Sequence, residues 1–323
     1  MTERAVTFTA REKAELLPFE ADAGAVGPGE VAGHSLATVV SAGTEINSGY
    51  LGENFPSRSG YAAVFTAEKV GEGVEGIEVG DTVFAPGGHV SYQRHPAAQC
   101  IRVPAGLDPQ QAVFARMMGV SMTTLTTTAA RPPGKVLVTG LGLVGHLAAK
   151  NFAACGYEVH ACDPVESRRR VAAETGITNV HEAVPGEGAE LAGLFQLAIE
   201  CSGHEQALLD AAGAVAKRGE IVCVATPWRK FTDIALHDLH RLIFFNYLVV
   251  RSGWEWELPR QPEDFRTNSI RENIAGALGW LSEGRVEVGG IFTAYDPARC
   301  QKAFEDLLHK RTDRLAVVFD WRL

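Results

Sequence analysis

Val136-Leu137-Val138-Thr139-Gly140-Leu141-Gly142-Leu143-Val144-Gly145 is the stretch that decides the fold. A short run of β-favouring residues enters three glycines spaced G-x-G-x-x-G, and a helix-length segment at 144–154 follows directly. Each glycine has a separate task. Gly140 permits a tight turn, Gly142 lets backbone come close to a pyrophosphate, and Gly145 allows the helix to pack hard on the strand. Leu143 and Val144 then open the helix, whose first amides point at the same phosphate charge.

Working outward, strand-like runs at 136–139, 158–162, 197–200 and 219–224 alternate with helix-length segments at 144–154, 165–176 and 205–217. Alternation of this kind predicts βαβ units and a doubly wound parallel sheet, an α/β Rossmann domain. Asp163 ends the second strand, roughly twenty residues beyond the glycines. A carboxylate there can accept both ribose hydroxyls of an adenosine and would repel a 2′-phosphate, so NAD(H) is favoured over NADP(H). Arg168, Arg169 and Arg170 follow it. Arg168 is counted with the coenzyme residues, since an arginine in this neighbourhood can pair with a 2′-phosphate, or be a solvated helix start.

The residues before position 108 have a different character. Short β-like runs at 5–9, 35–41, 60–69, 81–84 and 99–103 are separated by Gly27-Pro28-Gly29, Gly71-Glu72-Gly73 and Pro86-Gly87-Gly88, which predicts a β-rich module. A tail carries helical patterns at 274–283 and 297–309 and a closing strand-like run at 314–319. Two domains are expected, one from 121–253 and one from 1–120 with 254–323.

Composition narrows the class. The 323 residues are 46% hydrophobic and 21% charged with a net charge of -9, which supports a buried core and argues against a basic nucleic-acid or membrane-surface binder. Six cysteines are scattered, none in a Cys-x-x-Cys pair, and Cys223 in Ile221-Val222-Cys223-Val224 reads as a reduced core thiol. No apolar run suits a signal peptide or a membrane span, so a cytoplasmic protein is expected.

The chain resembles the medium-chain dehydrogenase/reductase superfamily over nearly its whole length. Gly60-Tyr61-Ala62-Ala63, Glu68 with Gly71-Glu72-Gly73-Val74, and Gly80-Asp81 resemble the family's Gly-His-Glu segment and its later Gly-Asp. Ser41-Ala42-Gly43-Thr44-Glu45 resembles its Cys-Gly-Thr-Asp segment. The resemblance implies a GroES-like catalytic domain beside the Rossmann domain, a small-molecule substrate and a homodimer. It also implies that Cys201, Ser202, Ala225 and Thr226 lie beside the nicotinamide and its ribose. Arg314 is similar to a C-terminal arginine that pairs with the pyrophosphate, an ordinary surface charge being the alternative.

The departures concern zinc. Family members that use it supply a cysteine, a histidine with an adjacent glutamate, and a second cysteine or an aspartate; here those positions hold Ala42, Tyr61-Ala62 and Met118. None of Ala42, Ala62 or Met118 is a suitable ligand and a lone tyrosine cannot hold the ion, so no zinc is expected. The pattern is similar to a zinc-free branch of bacteriochlorophyllide-type and antibiotic-pathway dehydrogenases, which implies secondary metabolism.

Without a metal, hydroxyl and imidazole groups must stabilise a developing alkoxide. Thr44 matches the family hydroxyl that touches substrate oxygen, unless it is only a turn residue. Tyr61 either donates to a carbonyl oxygen or fills the space the metal leaves. His89 either lines the pocket or lies on a surface loop, and Glu45 orients its neighbours, a base being the alternative. The leading expectation is alcohol–ketone or alcohol–aldehyde interconversion; reduction of an enone or quinone, and nucleotide binding without catalysis, remain open alternatives.

Overall fold

The structure is a computed structural model that describes every residue except Met1, Glu187 and Thr267. It separates into two compact units, Met117–Ile274 and the pair of segments Met1–Arg116 with Ala275–Leu323. The second boundary falls at 274/275 rather than at the expected 253/254. Residues just past the last strand stay with the first unit because Gly253 N–H donates to the Cys223 carbonyl at 2.8 Å and Arg251 reaches Glu257 at 3.2 Å.

Unit Met117–Ile274 is α/β. Its six-stranded sheet runs Asn179–His181, Glu158–Cys162, Lys135–Thr139, Phe195–Glu200, Val215–Cys223 and Val249–Ser252, every neighbour parallel. Both faces are covered, which is why the strands read as continuous apolar runs rather than alternating ones. Val136, Val138, Leu197 and Ile199 pack with Ala148 and Phe152 on one face; Leu137, Phe195, Ala198 and Ile221 pack with Ala211 and Leu239 on the other. The chain leaves Lys135–Thr139 toward one edge and returns past it toward the other. Such a reversal opens a crevice at the carboxyl ends of Lys135–Thr139 and Phe195–Glu200. The expected helix at 205–217 stops at Ala214, because Val215 has already joined the sheet opposite Phe195.

The other unit is β-rich. Its larger sheet orders Phe292–Tyr295, Ala316–Asp320, Glu30–Val39, Ala63–Thr66, Thr82–Ala85 and Ile101–Arg102, with Lys69–Val70 and Tyr92–Pro96 also on Glu30–Val39. A three-stranded sheet of Lys13–Pro18, Arg4–Ala10 and Ser57–Arg58 accompanies it. Among the described residues no helix is long and apolar enough to cross a membrane.

One buried histidine gives the fold an acid liability. His146 has no solvent exposure, and burial, then the nearby Lys150 charge, pulls its pKa down to about 3. Its Nε2 meets Thr175 Oγ1 at 3.1 Å, while Nδ1 has no partner. The unfolded chain protonates this ring near pH 6.5 and the folded chain does not, so stability falls as pH drops below about 6.5. Each pH unit in that window removes about 1.4 kcal/mol, or about 2 kcal/mol by pH 5. His95, pulled down to about 4 by burial, acts in the same direction. Denaturant titrations at pH 7 and pH 5 should show the loss in the wild type and a smaller one in His146→Leu. Equal losses in the two proteins would refute the assignment to His146.

Candidate active site

The glycine turn has the geometry its spacing implied. Gly140 sits at φ +85°. A Cβ on Gly145 would meet the Gly140 carbonyl oxygen at 1.8 Å and Cys201 Cβ at 3.1 Å, so helix Leu143–Ala154 lies against the turn as only glycine allows. Gly142 differs, since a Cβ there would find nothing within 4 Å. It is also the N-cap of the helix, with no side chain capping the first amides. Backbone donors therefore face open space at the helix's positive end, which fits a dinucleotide pyrophosphate. Gly140, Gly142, Leu143, Val144 and Gly145 would hold that group.

Asp163 departs from its expected role. It is 1% exposed and accepts Leu141 N–H at 2.8 Å, Val165 N–H at 2.8 Å and the Arg168 guanidinium at 3.1 Å. From sequence it was expected to take both ribose hydroxyls; in the structure its oxygens first hold the glycine turn and the next helix together. Arg169 turns back onto the carbonyls of Asp163 and Pro164. Cys201 and Ser202 follow strand Phe195–Glu200, and Ala225 and Thr226 lie just past Val215–Cys223.

Glu200 escaped the sequence reading. Its buried carboxylate accepts Ser202 N–H at 2.7 Å, Gly203 N–H at 3.0 Å, the Ser202 hydroxyl and Thr139 Oγ1. It fixes the Cys201-Ser202-Gly203 turn beside Thr139. An acid closing the apolar run 197–200 was the available signal.

In the other unit a polar cluster is built around the helical segment Ala42–Thr44 and its continuation Glu45–Tyr50. Tyr61 lies near the Ser41 and Thr44 side chains. Burial raises the Tyr61 pKa, and Ser41, Arg116 and Thr44 partly offset it, so the phenol is protonated near neutrality. Glu45, fully enclosed, accepts Ser41 N–H at 2.7 Å and the Ser59 hydroxyl at 2.6 Å, and lies 2.9 Å from His89 Nε2.

His89 is placed behind this cluster. Its ring is 0% exposed, with Nδ1 2.8 Å from Thr38 Oγ1 and Phe319 edge-on at 5.1 Å. Trp321 Nε1–H donates to Thr38 Oγ1 at 3.1 Å, and the Glu45 carboxylate accepts from His89 Nε2–H. A ring so enclosed cannot line a pocket wall or meet solvent, as either sequence expectation required. It orients Glu45.

The cluster contains no set of metal ligands. Among the described residues, no three His, Cys, Asp or Glu side chains converge to hold an ion. The cysteines are all free. Burial pushes Cys162 to about 12 and Cys223 and Cys300 to about 11, so these thiols stay protonated, as core thiols do. Arg314 precedes strand Ala316–Asp320 in the β-rich unit, while the glycine turn belongs to the other.

Comparison with known proteins fits this architecture. The family model described as zinc-binding dehydrogenase matches residues 140–267. An alcohol dehydrogenase of Geobacillus stearothermophilus is 25% identical over 216 residues, 53% of this chain and 61% of that protein. L-Threonine 3-dehydrogenase of Pyrococcus furiosus is 27% identical over 293 residues, 73% of this chain and 80% of that protein. The chain is similar to dehydrogenases over these stretches, and residues 140–267 carry the family match. Acetophenone reductase from Geotrichum candidum, solved in complex with NAD, has the same fold: TM-score 0.77 at 16% identity, covering 99% of this chain and 97% of that one. Against the zinc in that family's name, this chain has Ala42, Tyr61-Ala62 and Met118 where the resemblance looks for ligands, and these side chains do not fit a zinc ion.

Proposed function

We propose that the chain is a zinc-independent, NAD(H)-dependent oxidoreductase that interconverts an alcohol with a ketone or aldehyde on a polar small molecule. The carrying observation is the Tyr61 hydroxyl near Ser41 and Thr44, where no three His, Cys, Asp or Glu side chains of the described residues converge to hold an ion. Bound coenzyme supplies or accepts the hydride. Thr44 and Tyr61 donate hydrogen bonds to the substrate oxygen, and the Tyr61 proton neutralises the alkoxide as it forms. Glu45, oriented by His89 and Ser59, fixes the backbone at Ser41 and hence the two hydroxyls.

Coenzyme choice follows from charge. Asp163 carries its carboxylate against the glycine turn, and Arg168, the cation nearest it, is already paired there. A 2′-phosphate would meet the acid without a spare arginine from that pair, which supports NAD(H) over NADP(H). A homodimer is supported by strand Val249–Ser252, an open sheet edge flanked by exposed Phe244, Phe245 and Tyr247. A monomeric mass in sedimentation would contradict it. The resemblance further supports placement in the zinc-free branch and a role in secondary metabolism, and the acidic, reduced-thiol chain supports a cytoplasmic site.

A panel of alcohols, ketones and aldehydes followed by NADH absorbance, with and without EDTA, tests the activity. Turnover indifferent to the chelator is expected. Activity abolished by EDTA and restored by zinc would overturn the metal-free reading.

A further inference from the structure

Arg116 lies in the first turn of helix Ala115–Thr127, and its position in sequence gives no hint of a role. It is 6% exposed, and its guanidinium carbon lies 4.8 Å from the centroid of the Tyr61 ring. Other arginines stack on rings that face solvent, such as Arg241 on Phe245 and Arg260 on Trp256. Arg116 is different because the cation is taken out of water and set on the ring whose hydroxyl lies near Ser41 and Thr44. Desolvation strengthens such a contact.

We propose that Arg116 is a positioning residue that sets the acidity of Tyr61, stabilising the phenolate left behind when the phenol gives up its proton; the inference rests on the reading of Tyr61 as the proton donor. In the reductive direction the carbonyl carbon accepts the hydride pair from reduced coenzyme, and the C=O π pair moves onto oxygen. That oxygen takes the Tyr61 proton, and the O–H electron pair stays on the phenolate. Its charge spreads into the ring, making the face under Arg116 more negative than in the phenol. A fixed cation there therefore favours the ionised form. Ser41 and Thr44, near the oxygen end, favour ionisation as well. Glu45, the acid facing the cluster, opposes ionisation, and His89 donates to Glu45 from behind. The phenol regains its proton from solvent, which its partial exposure permits.

Nitration by tetranitromethane reads this directly, because the reagent attacks phenolate and needs no substrate. Rates at Tyr61 would be measured by mass spectrometry at mildly alkaline pH, against Tyr247, which is 68% exposed. Arg116→Gln should slow nitration of Tyr61 by about tenfold or more, and Arg116→Lys should restore most of the rate. A merely structural role predicts the opposite sign, since lost packing would open Tyr61 to the reagent. Unchanged or faster nitration in Arg116→Gln would overturn the proposal, as would an inert Tyr61 in the wild type beside a reactive Tyr247. If circular dichroism shows that Arg116→Gln does not fold, Arg116→Met, which fills the slot without charge, takes its place. Carbonyl reduction undiminished in Tyr61→Phe would instead sink the proton-donor reading, whatever nitration shows about acidity.

Discussion

Replacing Tyr61 by phenylalanine is expected to lower kcat for carbonyl reduction by about 10²- to 10⁴-fold, the usual contribution of a positioned proton donor. NADH affinity should hardly change, because the phenol is proposed to act on the substrate oxygen and not on the coenzyme. Folding should hold as well. The ring stays beneath Arg116, and phenylalanine fills the same half-buried space. The loss should appear equally in kcat and kcat/KM, since the proton moves only in the transition state. Steady-state reduction of the best carbonyl substrate, with NADH binding and thermal melting as controls, decides the matter. An enone or quinone reductase needs little acid help, so turnover maintained in Tyr61→Phe would favour that chemistry. Thr44→Val should give a smaller loss, because Tyr61 would still donate.

The same residues show where sequence stops being informative. The glycine turn was legible because G-x-G-x-x-G encodes local backbone: a positive φ at Gly140, an open Gly142 and a crowded Gly145 all follow from near neighbours. The parallel strands were legible because a sheet covered on both faces needs unbroken apolar runs. His89 was not, since its ring partners Thr38 and Glu45 lie 51 and 44 residues away along the chain. A histidine after Gly87-Gly88 looks like a loop residue until the sheet that encloses it is built. Arg116 was hidden in the same way, because nothing between it and Tyr61 in sequence marks their contact. Asp163 was half legible: its place at the end of the second strand was readable, but not that its oxygens would be occupied by Leu141, Val165 and Arg168.

Two glycine substitutions should separate coenzyme binding from folding. Gly142→Ala is expected to leave stability unchanged, because Gly142 has φ -67°, which alanine adopts freely, and the new methyl meets nothing within 4 Å. That methyl nevertheless enters the space through which a pyrophosphate must approach the backbone. Loss of one hydrogen bond to a charged oxygen, about 2 kcal/mol, would weaken NADH binding roughly 30-fold. Gly145→Ala should fail differently. Its methyl would lie 1.8 Å from the Gly140 carbonyl oxygen, so helix Leu143–Ala154 must move away from the turn. Overpacking of this kind costs about 1–3 kcal/mol, and the displaced helix carries its amides out of register with the phosphate. Gly145→Ala should therefore lose both stability and NADH binding, and Gly142→Ala only the latter. Calorimetric titration with NADH and thermal melting of both variants would show it. If Gly142→Ala bound NADH as tightly as the wild type, the pyrophosphate could not lie over this turn, and the crevice beside Lys135–Thr139 would need another occupant.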